Sequence, residues 1–249
     1  MSIFELNEGL LSRLRSITYR DIDDVLIVEL ETTMEKVSFE SRSEVSKEVH
    51  EQAMIFRDLL RHGCCPLPEI INYFAGKKVD TKNLIGKRRR KDKEINKSPF
   101  VAFVAQGYWD VTNDHFAQII EPACYWENIR PLRMDLEVKM PSLIQKIYEG
   151  FQKANLFIAD LTENEPNVFY ELGYFDAKNI EGLCVAPNFG ADRGKKNRNF
   201  IYTLTRDIIV FERGPRGLAN NRKTLRAGLR EIVKRLTMKE LDSGGVAKA

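Results

Sequence analysis

Between residues 98 and 237, short uninterrupted apolar runs alternate with stretches of helical periodicity, and this alternation constrains the fold more than any other feature. The runs are FVAFVA at 100–105, a weaker one at 129–134, LFIAD at 156–160, LCVA at 183–186 and DIIVF at 207–211. A strand that is apolar at every position must be covered on both faces, as in a parallel sheet between two helical layers. The intervening segments supply the helices. Phe116, Ile119, Ile120 and Ala123 share a face over 114–127, where Pro122 predicts a kink or an early end. Ser142 is suited to cap a helix carrying Leu143, Ile144, Ile147 and Phe151, and Pro166 suits the first turn of the next one. After the turn RGPRG, a closing helix is expected over about 220–236. The pattern predicts an α/β fold: a flavodoxin-like, doubly wound, five-stranded parallel sheet over 98–237.

Residues 1–85 read as a smaller, mainly helical region. The segment 41–61 has helical spacing through Val45, Val49, Met54, Ile55 and Leu59, whereas VLIVEL at 25–30 fits a strand or a helix equally. Charge is segregated: residues 1–76 carry a net −6, residues 77–97 a net +7, and residues 98–249 a net +2. The basic run KRRRKDK reads as an exposed linker over 86–97, the sheet domain occupies 98–240, and 241–249 reads as a flexible tail. Nucleic-acid phosphates are a possible partner for 87–93 but not the favoured one, because no aromatic residues are interleaved there.

The four cysteines, Cys64, Cys65, Cys124 and Cys184, lack CxxC spacing, and the three histidines, His50, His62 and His115, are scattered. Neither a metal site, a disulfide framework nor a catalytic triad follows from these spacings. The adjacent Cys64 and Cys65 read as idle thiols rather than a vicinal disulfide. No apolar run reaches the ~18 residues that a membrane helix needs. The opening segment MSIFELNEGLLSRLRS has early acids and no small-residue cleavage site, so a secretory signal is not expected and a cytoplasmic location is.

The chemistry concentrates in DLTENEPNVFYELG, from 160 to 173. Asp160 ends a buried strand, and a carboxylate there is expected to face the crevice at the sheet's carboxyl edge, where open α/β sheets bind ligands. Thr162 is suited to order the turn. Asn167 and Glu171 stand four apart on the following helix and share a face. Apolar neighbours Phe169 and Leu172 predict partial desolvation of Glu171 and a raised pKa. A carboxylate so placed is equipped to stabilise or attack an oxocarbenium-like sugar, or to bind ribose hydroxyls. The plainer alternative is that Asp160 and Asn167 cap the turn and Glu171 is a solvated helix residue.

The motifs IIEPA (119–123), RMD (133–135), ADLT (159–162) and PNVFYELGY (166–174), with Ala177, make residues 98–237 resemble the TIR-like and nucleoside 2-deoxyribosyltransferase-like proteins. That superfamily includes bacterial defence effectors, so the resemblance implies an antiviral role among other possibilities. It places the functional glutamate on Glu171, which is the nucleophile in the deoxyribosyltransferases and contacts the nicotinamide-linked ribose in catalytic TIR domains. It also implies a role for Asp160 and puts Arg133 and Asp135 on the same crevice, although a surface ion pair between these two is an equal alternative. Two departures stand out. AQGYWDVTND (105–114) replaces the short segment that usually follows the first strand, so Tyr108 and Trp109 are expected to stack on a base or, for Trp109, to pack in the core. Glu165 stands where an asparagine usually precedes the proline. A further basic loop, RGKKNR at 193–198, is a candidate phosphate contact.

The resemblance implies an enzyme that cleaves an N-glycosidic bond of NAD or another nucleoside or nucleotide, using no cofactor beyond that ligand, and a homo-oligomer. The competing readings are a non-catalytic nucleotide sensor and a TIR-like assembly module.

Overall fold

The computed structural model describes residues 8–17, 22–44, 47–134, 143–163, 165–187 and 208–244. The chain divides into two compact units, residues 1–94 and 95–249.

The first unit is helical among its described residues: α1 (Glu8–Ser16), α2 (Asp24–Glu44), α3 (Lys47–Arg61), α4 (Leu67–Phe74) and α5 (Thr81–Asn96), whose last turn enters the second unit. VLIVEL lies within α2. Its periodicity is ambiguous because Leu26, Ile27, Val28, Leu30 and even Glu31 are all buried. The expected helix over 41–61 is instead the end of α2 and the whole of α3. Cys64 and Cys65 are free thiols.

The basic segment expected as a linker is the body of α5. Long Lys and Arg side chains are good helix formers, and no proline in 81–96 interrupts the run. The Asp80 carboxylate caps its start, accepting from the backbone N–H groups of Lys82 (3.0 Å) and Asn83 (3.2 Å). Its cations pair within the unit: Lys87 with Glu69, and Arg88 with Asp58 at 3.0 Å and with Asp92. The excess acid of residues 1–76 thus has partners in the positive segment that follows it.

The second unit carries the sheet. Its strands are β1 (Val101–Ala105), β2 (Arg130–Leu132), β3 (Leu156–Asp160), β4 (Glu181–Pro187) and β5 (Ile208–Phe211), all parallel, in the flavodoxin-like order β2-β1-β3-β4-β5. Side-chain alternation divides the core. Ala102, Val104, Leu156 and Ile158 pack with the helical segment after β1 and with the closing helix, through Phe116, Ile119, Ile120, Leu225, Leu229 and Ile232. Phe103, Ala105, Phe157 and Ala159 point the other way. They pack on α8 (Leu143–Lys153) and α9 (Pro166–Ala177) through Phe151, Leu172 and Phe175. Each buried phenylalanine here removes enough apolar surface from water to contribute about 2–3 kcal/mol. Ser142, the expected cap of α8, lies outside the described residues.

The helix after β1 does not end at Pro122. It runs as α6 (Asp110–His115), a π-helical turn (Phe116–Ile120) and α7 (Glu121–Trp126). Proline has no N–H to give the carbonyl of Gln118 four residues earlier. That carbonyl instead accepts from Nε of Arg222 at 2.6 Å, a side chain only 1% exposed. Arg222 belongs to α10 (Gly214–Gly244), which is longer than expected at both ends. The expected RGPRG turn is its first turn, entered through Gly214 at φ +82°. Among the described residues, no helix is long and apolar enough to cross a membrane.

Candidate functional site

β1 and β3 are neighbours, yet the helix after β1 packs on one face of the sheet and α9, after β3, on the other. The chain therefore parts at their carboxyl ends, which is the topological switch point where this architecture leaves a crevice. A cleft of about 450 Å³ lies there, within the range of small-molecule sites. Its walls are the loop from Gln106 to Trp109, Ile147 of α8, and the start of α9 from Glu165 to Glu171.

The loop is braced from beneath by Thr112, which is fully buried. Its hydroxyl donates to the Gly107 carbonyl at 2.7 Å and accepts the Trp109 backbone N–H at 3.2 Å. The amide of Gln106, 7% exposed, donates from Nε2 to the carbonyls of Thr112 (3.1 Å) and Gly107 (3.4 Å). Because both partners are acceptors, the amide orientation is fixed by chemistry. Its Oε1 is buried with no hydrogen-bond partner among the described residues. From this loop the Trp109 indole, more than half exposed, donates Nε1–H to Oε1 of Glu165 at 2.7 Å. A Cβ on Gly107 would lie 3.0 Å from both Cγ of Glu165 and Cδ1 of Trp109, so any larger residue would push this pair back by a few tenths of an ångström.

On α9, Asn167, Tyr170 and Glu171 turn one face to the cleft, as their spacing requires. Tyr170 meets Tyr148 of α8 hydroxyl to hydroxyl at 3.1 Å. Glu171 has no hydrogen bond or ion pair among the described residues. Burial, unopposed by any such partner, pushes its carboxyl up to about 7. A group in that state exchanges protons readily near neutral pH.

Asp160 behaves differently from expectation. Ala159 packs on the α9 face, so strand alternation sends Asp160 to the opposite face, away from Glu171 and outside the cleft walls. There it is 2% exposed and fully engaged. It accepts the Thr162 backbone N–H at 3.0 Å, the Thr162 hydroxyl, and Nδ1 of His115 at 2.9 Å. The His115 ring stands edge-on to Phe211 at 5.2 Å. Thr162 does order the turn as expected, but it serves this buried cluster rather than the cleft.

Arg133 is also displaced from the expected crevice. It is 8% exposed, donates to Oδ1 of Asn113 at 2.5 Å, and lays its guanidinium over the Phe116 ring at 5.0 Å. It lines a separate cavity of about 190 Å³ with Glu121 and Arg130. Asp135, and the loop carrying 193–198, lie outside the described residues.

The structure therefore gathers Glu171, Asn167, Tyr108 and Trp109 at one cleft and leaves Asp160, Thr162 and Arg133 elsewhere. The cleft also holds Gln106, Glu165 and Tyr170, which the sequence reading did not assign to it. Tyr170 was within reach of helical spacing, three residues from Asn167. The pairing of His115 with Asp160 spans 45 residues and carries no local signal. Compared with protein-family models, curated proteins and solved structures, the chain gives no match.

Proposed function

We propose that this chain cleaves the N-glycosidic bond of NAD or of another nucleoside or nucleotide, with Glu171 as the working carboxylate. The observation that carries the proposal is the state of Glu171: in the switch-point cleft, unpartnered among the described residues, and pushed up to about 7 by burial. Breaking the bond sends its electron pair to the base and leaves positive charge on the anomeric carbon. A poorly solvated carboxylate beside that carbon stabilises the charge far better than water does. A base that is already cationic departs as a neutral molecule and needs no general acid. Glu171 then takes the proton of the water that adds to the sugar, a task for which a pKa near neutrality is suited. Tyr108 and Trp109 offer aromatic faces for the base.

The test is release of free base by the purified full-length chain from NAD and from a panel of nucleosides and nucleotides, followed by chromatography. Glu171→Gln is expected to lower the rate at least about 100-fold, as does loss of one charge-stabilising group in other enzymes. Turnover that survives this substitution overturns the role of Glu171. A wild-type protein that turns over none of the panel, yet shows a Glu171-dependent rise in melting temperature with one of them, replaces the enzyme with a nucleotide sensor.

A further inference from the structure

We infer that Glu165 determines the charge specificity of the cleft: docked on Trp109, it makes the site select a positively charged aromatic ring over a neutral one. This inference rests on the reading of the cleft as the working site and specifies what enters it.

The polar groups around the cleft are unbalanced. Two carboxylates, Glu165 and Glu171, face it, and among the described residues lining it there is no lysine, arginine or histidine. The Gln106 amide adds a buried acceptor, Oε1, that has no donor among the described residues. A neutral ring would gain stacking alone. A cationic ring gains stacking, attraction to both carboxylates and the cation–π interaction with the aromatic walls.

The Trp109–Glu165 hydrogen bond sharpens this preference. Trp109 donates Nε1–H to a carboxylate at 2.7 Å. Donation to an anion polarises the indole and adds electron density to its face, which strengthens its attraction for a cation. The same bond fixes the ring at the wall of the cleft, and Gly107 leaves room for it. Glu165 therefore contributes both a charge and the position of the stacking surface. An amide at this position would keep the second contribution and lose the first.

That separation provides the experiment. Calorimetric titration of the full-length chain at pH 8 uses two probes: the cation 1-methylnicotinamide and its neutral relative nicotinamide. The cation is expected to bind about tenfold more tightly than the neutral ring. Glu165→Gln retains an acceptor for the indole N–H, and is expected to reduce the preference for the cation to about twofold while leaving nicotinamide binding unchanged. In the wild type, added salt should weaken the cation and spare nicotinamide, a readout needing no variant. Equal affinity for cation and neutral ring, or a preference untouched by Glu165→Gln, would each overturn the inference. These outcomes are independent of turnover. A chain that selects the cation but releases no base disproves the glycosidic reaction alone, and one that releases base without regard to charge disproves this inference alone.

Discussion

Asp160 and Glu171 are eleven residues apart, both at the carboxyl edge of the sheet, and live in opposite circumstances. Asp160 is buried on the α10 face and satisfied three times over, by the Thr162 N–H, the Thr162 hydroxyl and His115. Glu171 is turned into the cleft on the other face with no such partner among the described residues. One carboxylate is committed to holding a turn in place. The other carries an unmet electrostatic demand that a ligand would satisfy. Burial has opposite consequences in the two cases because hydrogen-bond donors accompany it in only one.

The strongest way to break this contrast is to truncate each carboxylate and measure stability. Asp160→Ala leaves the Thr162 N–H and the His115 ring without their acceptor in a dry environment, and should cost about 3 kcal/mol or more in urea denaturation. Glu171→Gln should cost nothing comparable. Similar losses for the two would erase the distinction.

The second test is the pH dependence of stability. Native Glu171 keeps its proton up to about 7, whereas the unfolded chain releases it near the ordinary value of 4.5. The native state therefore holds more protons between those limits, and stability falls as pH rises through that window before levelling above it. The difference between wild type and Glu171→Gln should reach no more than about 3 kcal/mol, and a flat difference curve would contradict the desolvated carboxyl.

A third test probes the α10 face for the same dense satisfaction seen around Asp160. Arg222→Met strands the Gln118 carbonyl that Pro122 leaves without an N–H, and should cost about 2 kcal/mol. The smallest effect is expected on the cleft side. Gly107→Ala should displace Trp109 or Glu165 by a few tenths of an ångström, costing about 1 kcal/mol in stability. An unchanged melting temperature together with an unchanged tryptophan emission would show that the close approach is not required.

The sheet was legible because its central strands are apolar at every position, a pattern that only burial on both faces explains. The starts of β4 and α10 were less so. Glu181 and Gly182 join the sheet through their pairing with Leu156 and Phe157, a contact without any mark in their own composition. Pro215 reads as a turn residue, yet it sits equally well in a first helical turn. The basic segment looked like a linker because its partners, Glu69 and Asp58, lie earlier in the chain.

Within the candidate site, Asn167 and Glu171 followed from helical spacing alone. The orientation of Asp160 did not. The face taken by the last residue of a strand depends on parity, and parity has meaning only once the helices are assigned to faces. The same holds for Arg133, which packs on Phe116. Glu165 entered the cleft through its bond to Trp109, 56 residues away.

The most direct measurement is a carboxyl titration by NMR of protein labelled with ¹³C at the glutamate side chains. One glutamate resonance is expected with its midpoint near 7, and it should be absent from Glu171→Gln. If every glutamate, Glu171 included, titrates between about 3.5 and 5, the cleft does not desolvate this carboxyl and the account fails.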